Sequence, residues 1–348
     1  MNKFKFYFIL LSTLLVIFSS CNKDDDQTTT IPLNDFATQR DTDKKTIETY
    51  LKTHKLNTEI TDYAKNVNSS NLLLDTSTES ESLWSLKEST TYPKLKSKQV
   101  FVESQNSITY TVYYLVFNEG STTEKPCPLD EILVTYRGTS LKYDSGVSTA
   151  TEFENSPVST LFTLNTVISG WQEIFPMFGK GIFDEPATGN GPNVYTDYGA
   201  GLMFIPSGLA YFNGSRNNIP SYSPLVFSFQ MFNFKRVDND FDGIMSVDEI
   251  VRKDDGSFTY TDTDGDGIKD IVDQDDDNDG FSTLNERKYK LSLQQDPLQK
   301  TYYYPYNGAN VDDPTTLNDE RKGIPDCSLI PDYTSSTRIR KHLTKDCH

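Results

Sequence analysis

Histidine and cysteine are scarce in this chain of 348 residues, which has three histidines and four cysteines. Zinc sites in proteins are built from cysteine and histidine ligands at short, characteristic spacings. The spacings of Cys127, Cys327 and Cys347 match none of these patterns, and His342 and His348 lie in a tail with no sign of a closed site. The sequence therefore excludes a structural zinc site.

Basic residues are also in short supply, with 33 lysines and arginines against 50 aspartates and glutamates and a net charge of -17. The imbalance is concentrated in residues 238–286, where 17 acidic residues face three basic ones. Because proteins bind phosphate backbones through clustered lysine and arginine, this charge excludes nucleic acid as a partner.

The apolar run at residues 6–18 is too short to span a membrane comfortably. It follows two lysines and precedes Ser19-Ser20-Cys21, which predicts a signal peptide over residues 1–21. The small residues before Cys21 resemble a lipoprotein signal. That resemblance implies a diacylglyceryl-modified cysteine and a membrane anchor, while ordinary secretion with an incidental cysteine is the alternative.

A linker is expected at residues 22–40. Its acidic run at residues 23–26 resembles the tag that sends some Gram-negative lipoproteins to the outer face of the outer membrane, although a solvated linker has the same composition. We expect a cell-envelope location, as an outer-membrane lipoprotein that is periplasmic or surface-exposed. In that oxidising compartment Cys327 is expected to pair with Cys347, or Cys127 with one of them.

The N-terminal region at residues 41–125 combines helical and extended patterns. Ile47, Tyr50 and Leu51 recur at helical spacing and predict a helix over about residues 43–54. Residues 57–97 are rich in serine, threonine, asparagine and lysine, which predicts irregular structure. Alternating apolar residues predict strands at 98–103 and 108–118 that lead into a sheet.

Residues 126–236 carry a series of apolar motifs. A short strand is expected to end at Asn165 or Thr166, either of which can cap a following helix. That helix has apolar residues at helical spacing, namely Val167, Ile168, Trp171, Ile174 and Phe175. The flanking motifs are Val134-Thr135-Tyr136-Arg137-Gly138, Ile205-Pro206-Ser207-Gly208-Leu209-Ala210-Tyr211, Ile219-Pro220 and Pro224-Leu225-Val226-Phe227.

In this order the motifs resemble those of the FKBP-type peptidyl-prolyl cis-trans isomerases. The resemblance implies an α+β fold, in which an FKBP-like antiparallel half-barrel sheet wraps on one short helix. It also implies that Trp171 lies under a proline ring, while the N–H of Ile168 and the hydroxyl of Tyr211 hold substrate carbonyls. The residues implied to form the site are Tyr136, Phe153, Glu154, Phe162, Val167, Ile168, Trp171, Tyr211, Ile219 and Phe227.

Three stretches depart from the family pattern, and one of them is the loop at residues 213–218, which is more polar than usual. Phe153-Glu154-Asn155-Ser156 resembles the family's Phe-Asp-Ser-Ser element, with glutamate in place of aspartate, and the run at residues 143–146 is a rival match. Residues 179–201 look like an insertion.

Prolyl isomerisation breaks no bond, and its barrier of ~18–20 kcal/mol comes from amide resonance. The twisted transition state is less polar than the planar amide, so an apolar, water-poor pocket favours it without a nucleophile or a catalytic cofactor. Residues 126–236 offer aromatic and branched side chains and contain no histidine. We therefore expect an isomerase acting on proline-containing segments of envelope or secreted proteins.

The acidic segment at residues 237–286 repeats one spacing three times. Oxygen ligands at alternate positions followed by glycine are typical of calcium loops, since glycine allows the tight curl that brings the ligands together. The ligands expected in the first loop are Asp238, Asp240, Asp242, Ile244 and Glu249. Those of the second are Asp262, Asp264, Asp266, Ile268, Asp270 and Asp273, and those of the third are Asp275, Asp277, Asp279, Phe281 and Glu286.

The first of these loops resembles an EF-hand-like loop, and the other two resemble thrombospondin type 3 repeats. Structural calcium is the cofactor that this implies, and a disordered acidic tail is the alternative. Residues 287–348 predict an irregular C-terminal region. For the whole chain, a non-enzymatic, calcium-dependent binding or adhesion lipoprotein on the same scaffold is the alternative to a folding enzyme.

Overall fold

The computed structural model describes residues 33–185, 194–216 and 218–347. The expected signal peptide, Cys21 and most of the expected linker lie outside the described residues, as does part of the expected insertion. Within the described ranges, no helix combines the length and apolar character that crossing a bilayer requires.

The fold is a mixture of α and β structure with antiparallel sheets and few helices. In the described residues the helices are α1 (Phe36–Thr53), α2 (Ser169–Ile174) and α3 (Thr283–Glu286). The strands before the expected insertion are β1 (His54–Leu56), β2 (Leu73–Asp75), β3 (Lys94–Val102), β4 (Ile108–Asn118), β5 (Glu131–Asp144) and β6 (Val147–Thr163). Those that follow are β7 (Ile182–Asp184), β8 (Val194–Thr196), β9 (Gly199–Ile205), β10 (Leu225–Lys235), β11 (Ile250–Arg252), β12 (Phe258–Tyr260), β13 (Lys288–Tyr289) and β14 (Tyr302–Tyr303).

The main sheet has six strands in the order β3-β4-β9-β10-β5-β6, and every neighbouring pair is antiparallel. Its first two strands agree with the predicted strands at 98–103 and 108–118, although β3 begins at Lys94. The division expected at residue 126 therefore separates strands that belong to one sheet.

Both faces of this sheet are covered. Along β4, Val112 and Tyr114 belong to the apolar cluster that contains Trp171 of α2, while Tyr113 and Leu115 belong to the cluster around α1. This alternation is the period of two that a β-strand imposes on its side chains. Since both faces are buried, the sequence of β4 is a nearly continuous run of apolar and aromatic residues.

Helix α1 begins seven residues before the predicted start at residue 43. Asp35 caps it, because a carboxylate oxygen of Asp35 accepts a hydrogen bond from the backbone N–H of Thr38 at 3.0 Å. The predicted end at about residue 54 agrees with the observed end at Thr53.

Helix α2 begins later than predicted, and neither Asn165 nor Thr166 caps it. These two residues belong to a separate 3-10 turn, Leu164–Thr166, and the helix starts at Ser169 after two extended residues. Its second residue, Gly170, packs against β9 so closely that a Cβ atom would lie 2.4 Å from Cγ2 of Ile205. The sequence predicted the strand-to-helix transition but misplaced the boundary.

The C-terminal region has little regular structure, as predicted. A disulfide joins Cys327 to Cys347, and Cys127 is buried and unpaired. In the aromatic run at residues 302–306, the ring of Tyr304 stacks on that of Tyr289 at 4.1 Å between centroids.

Candidate functional site: an aromatic pocket and three acidic loops

A pocket of about 420 Å³ opens beside the N-terminal end of α2. This volume lies within the range of small-molecule binding pockets. Nine of the ten site residues expected from the sequence line the pocket, and the exception is Ile219. The lining residues are Tyr136, Phe153, Glu154, Phe162, Thr166, Val167, Ile168, Trp171, Ala210, Tyr211, Arg216 and Phe227.

Trp171 is the centre of the aromatic part of the pocket. Its ring meets four others edge to face, with centroid distances of 5.2 Å to Tyr136, 5.4 Å to Phe162, 5.1 Å to Phe175 and 5.2 Å to Phe227. Edge-to-face contacts at such distances are favourable because the positive edge of one ring meets the negative face of another. They hold the indole, which is only 4% exposed, in one orientation.

The two residues before α2 leave one backbone donor available. Val167 and Ile168 are extended, and the side-chain amide of Gln172 donates to the carbonyl of Val167 at 3.1 Å. Among the residues that the structure describes, the N–H of Ile168 has no acceptor. A bound peptide carbonyl would satisfy this N–H.

Tyr136 and Glu154 form the polar side of the pocket. Burial raises the pKa of the Tyr136 phenol, and the neighbouring Glu154 carboxylate raises it further as an acceptor and as a charge. The phenol is therefore protonated at neutral pH and can donate a hydrogen bond.

Three lining residues were not predicted, namely Thr166, Ala210 and Arg216. The guanidinium of Arg216 lies over the Tyr211 ring, 5.3 Å from its centroid. Arg216 also pairs with Ile219 through two backbone hydrogen bonds of 3.1 and 2.7 Å. This bridge turns Ile219 into the core, where it is 6% exposed, instead of into the pocket lining. The polar composition of residues 213–218 did not indicate that Arg216 lines the pocket or that Ile219 is buried in the core.

Residues 143–146, the rival match for the family's Phe-Asp-Ser-Ser element, do not line the pocket. The run at residues 143–146 contains the turn between β5 and β6, in which Ser145 and Gly146 have φ of 49° and 94°. Phe153 instead packs on Phe227 at 5.7 Å between centroids. The pocket thus contains the phenylalanine of the predicted element and not the rival run.

The three acidic loops curl as their spacing predicts. We call residues 238–249 loop 1, 262–273 loop 2 and 275–286 loop 3. In each loop the carboxylate at position 5 accepts the backbone N–H of position 7, as Asp242 does from Ile244 at 2.6 Å. Three carboxylates gather in each loop, with oxygens within 4.8 Å of one another: Asp238, Asp240 and Asp242; Asp262, Asp264 and Asp266; Asp275, Asp277 and Asp279.

Several carboxylates in loops 1 and 3 are buried without hydrogen-bond donors. Considering the described residues only, neither oxygen of Glu249 or Glu286 accepts a hydrogen bond, although the two residues are 6% and 3% exposed. Burial, and then the charges of neighbouring carboxylates, raise the pKa of Glu249 to about 10 and that of Glu286 to about 8. Buried carboxylates crowded in this way fit a hard cation such as calcium, which takes six to eight oxygen ligands.

Loop 2 differs from the other two loops. Asp270, expected as a ligand, instead accepts hydrogen bonds from the N–H and hydroxyl of Thr263, both at 2.8 Å. Asp262, at the first ligand position, pairs with Lys269 at 3.1 Å. Asp273 accepts the N–H of Asp275 at 3.0 Å and does not join the loop 2 group.

Comparisons with known proteins give one family match and a set of similar solved structures. Residues 239–318, which include the acidic loops apart from Asp238, match the family described as BamM C-terminal, and not thrombospondin or EF-hand repeats. No curated protein matches the chain.

Two solved structures are similar to part of the chain. FkpA from Escherichia coli is 23% identical over 43% of this chain and 55% of its own, with a TM-score of 0.27. A peptidyl-prolyl cis-trans isomerase from Pseudomonas syringae pv. tomato is 17% identical over 44% of this chain and 86% of its own, with a TM-score of 0.28. The chain therefore spans about half the length of the FkpA chain that it matches.

Proposed function

We propose that the pocket around Trp171 is FKBP-like and catalyses peptidyl-prolyl cis-trans isomerisation. The observation that carries this proposal is the aromatic enclosure of Trp171 next to a backbone N–H, that of Ile168, without an acceptor in the described chain. An apolar wall with a few hydrogen-bond donors is what a twisting amide requires, because the reaction needs no nucleophile.

Some pocket residues would enclose the proline ring, and others would donate hydrogen bonds to the substrate backbone. The proline ring would lie on the Trp171 indole, between the rings of Phe162 and Phe227. The N–H of Ile168 and the hydroxyl of Tyr211 would hold carbonyls of the substrate backbone. Exclusion of water by these side chains would favour the less polar, twisted amide over the planar one.

The exchange rate of a short X-Pro peptide, followed by NMR, tests the proposal. Residues 22–348 should accelerate exchange, and the described residues from Asp35 onward belong to one compact unit. Trp171→Ala should lower the acceleration by roughly 10- to 100-fold, corresponding to about 1.4–2.7 kcal/mol of lost transition-state stabilisation.

Trp84→Ala provides a matched control. Trp84 is the only other tryptophan and packs on Tyr113, in the cluster around α1, at 5.7 Å between centroids. Its removal should leave the exchange rate unchanged. A folded parent that accelerates exchange in none of several peptides would contradict the enzyme and leave a binding pocket, as the non-enzymatic alternative requires.

We further propose that loops 1 and 3 bind structural calcium. The support is chemical, since carboxylate and backbone oxygens are the ligands that calcium prefers and buried charges need a partner. The pocket lining includes no residue of these loops, so calcium would stabilise the chain without taking part in isomerisation.

The third proposal is a lipid anchor at Cys21 that holds the protein in the cell envelope, as the lipoprotein-like signal before this residue implies. Metabolic labelling with a fatty acid should mark the parent and not Cys21→Ser. Label retained by Cys21→Ser would contradict lipidation at this residue.

A further inference from the structure

We infer that Asp276 completes a calcium site shared between loop 1 and loop 3, together with Asp242 and Glu249. The inference rests on the proposal that these loops bind calcium. It adds a ligand from outside loop 1, and it makes the ion a link between two separate segments of the chain.

The sequence sets Asp276 apart from its neighbours. It occupies position 2 of loop 3, between the carboxylates of Asp275 and Asp277, whereas position 2 is Asn239 in loop 1 and Thr263 in loop 2. Ligand spacing in loop 3 gives this extra acid no role. The structure places its oxygens with loop 1 and not with the other carboxylates of loop 3.

The distances suit one ion. Oxygens of Asp242, Glu249 and Asp276 all lie within 4.8 Å of one another. Calcium binds oxygen at 2.3–2.6 Å, so ligands on opposite sides of one ion are at most about 5 Å apart. A single calcium ion can therefore contact all three carboxylates.

Burial makes the cluster costly without a cation. Asp242, Glu249 and Asp276 are 1%, 6% and 2% exposed. Across the part of the chain that the structure describes, both oxygens of Glu249 and of Asp276 and one oxygen of Asp242 accept no hydrogen bond. Unpaired buried charges are strongly unfavourable, so these oxygens point to a missing positive charge.

In the described residues, no basic group donates a hydrogen bond to these unpartnered carboxylate oxygens. Arg287 donates to the backbone carbonyls of Asp242 and Tyr304, at 2.8 and 3.0 Å, and so its contacts are made with main-chain oxygens. The Nε2 atom of His342 is 4.0 Å from Asp276, beyond hydrogen-bonding distance.

Two hydrogen bonds already hold the segments together on either side of Asp276. The side-chain amide of Gln274 donates to the carbonyl of Asp240 at 2.5 Å, across 34 residues of sequence. Arg287 makes the second bond, to the carbonyl of Asp242. An ion between Asp242 and Asp276 would add a third and stronger connection between loop 1 and loop 3.

Hydrogen exchange measured by mass spectrometry during a calcium titration tests this link. In residues 22–348, calcium should protect the amides of loop 1 from exchange. Asp276→Asn, a change in loop 3, should raise the calcium concentration needed to protect loop 1 by about 10-fold or more, because one charged ligand is lost. Asp264→Asn, in loop 2, should leave the loop 1 midpoint unchanged. An equal midpoint in the parent and Asp276→Asn would overturn the shared site.

Melting temperature separates a ligand from a merely structural residue. In a chelator, Asp276→Asn should melt at a higher temperature than the parent, because one unpaired buried charge is gone. In 5 mM calcium it should melt at a lower temperature, and Glu249→Gln should behave in the same way. A variant that is less stable under both conditions would contradict a ligand role. If calcium protects no part of residues 238–286 in the parent, the calcium proposal itself fails, and this inference fails with it.

Discussion

Gly138 allows two aromatic rings to lie against strand β5 at the wall of the pocket. A Cβ atom at this position would lie 2.4 Å from Cζ of Phe153 and 3.1 Å from Cε1 of Phe227. The first distance is far below van der Waals contact, so any side chain here must displace the Phe153 ring. The glycine in the Val-Thr-Tyr-Arg-Gly motif is thus explained by the packing of the site.

Gly138→Ala should therefore weaken both the pocket and the fold. We expect a loss of about 1–3 kcal/mol in the free energy of unfolding, as in other overpacked cores, and a slower X-Pro exchange. Urea denaturation and the NMR exchange assay measure the two effects. Adding Phe153→Leu should restore stability by removing the clash without restoring full activity. Unchanged stability in Gly138→Ala would show that the ring moves freely.

Asp43 is a fully buried carboxylate that ties α1 to the turn before Tyr211. It accepts hydrogen bonds from the N–H and the hydroxyl of Ser207, both at 2.7 Å, and from the side-chain amide of Gln39 at 2.7 Å. Burial raises its pKa to about 6 in spite of these bonds.

Because this pKa is raised above that of the unfolded chain, the folded state binds the proton more tightly. The contribution of Asp43 to stability is therefore complete below about pH 4 and is lost as the pH rises to about 6. The loss should be about 2–3 kcal/mol, and Asp43→Asn should remove it from the pH profile of the unfolding free energy. Asp41→Asn changes an exposed carboxylate of the same helix and should leave the profile as in the parent. Parallel profiles for the parent and Asp43→Asn would contradict this assignment.

At the level of helices and strands, periodicity predicted where elements occur better than where they begin. The apolar residues expected in α1 lie in that helix, whereas Val167, Ile168 and Phe175 lie outside α2, and both predicted helix starts were wrong. Asp35 extends α1 by seven residues, and the turn at Leu164–Thr166 delays α2. Both errors have one cause, since several polar residues near a helix start compete to cap it and only tertiary packing selects among them.

The packing of residues 57–97 on the α1 side of the sheet could not be predicted from sequence. Residues 57–97 have no clear periodicity, yet Asn68 accepts a hydrogen bond from Ser228 of β10 at 2.9 Å, and the carbonyl of Ala64 accepts one from Gln230 at 2.8 Å. These partners are 160 and 166 residues apart in sequence. The pocket-lining residues could be named because the family resemblance rests on short motifs, whereas the layer on the α1 side depends on contacts between segments that are distant in sequence.

At the scale of the whole molecule, the acidic segment contacts both the sheet and the chain just after α2. Lys98 of β3, which is 6% exposed, donates to the carbonyl of Gly256 at 3.1 Å and pairs with Glu173 of α2 at 2.9 Å. Arg252 of β11 donates to the carbonyl of Pro176, just after α2, at 3.0 Å. Order in the acidic segment therefore supports strand β3 and the end of α2, through residues that do not line the pocket.

Calcium should stabilise the whole chain and leave catalysis unchanged. With dissociation constants of ~0.1–1 mM, as in extracellular calcium modules, each site filled at 5 mM calcium adds about 1–2 kcal/mol of stability. The two sites should raise the melting temperature by about 5–15 °C over that in a chelator. X-Pro exchange at 25 °C should be equal in the two buffers, since the pocket-lining residues all lie between residues 136 and 227. Identical melting curves, with no heat on titrating calcium, would contradict calcium binding. A lower exchange rate in the chelator would instead mean that the contacts of Lys98 and Arg252 transmit the order of the acidic segment to α2 and its pocket.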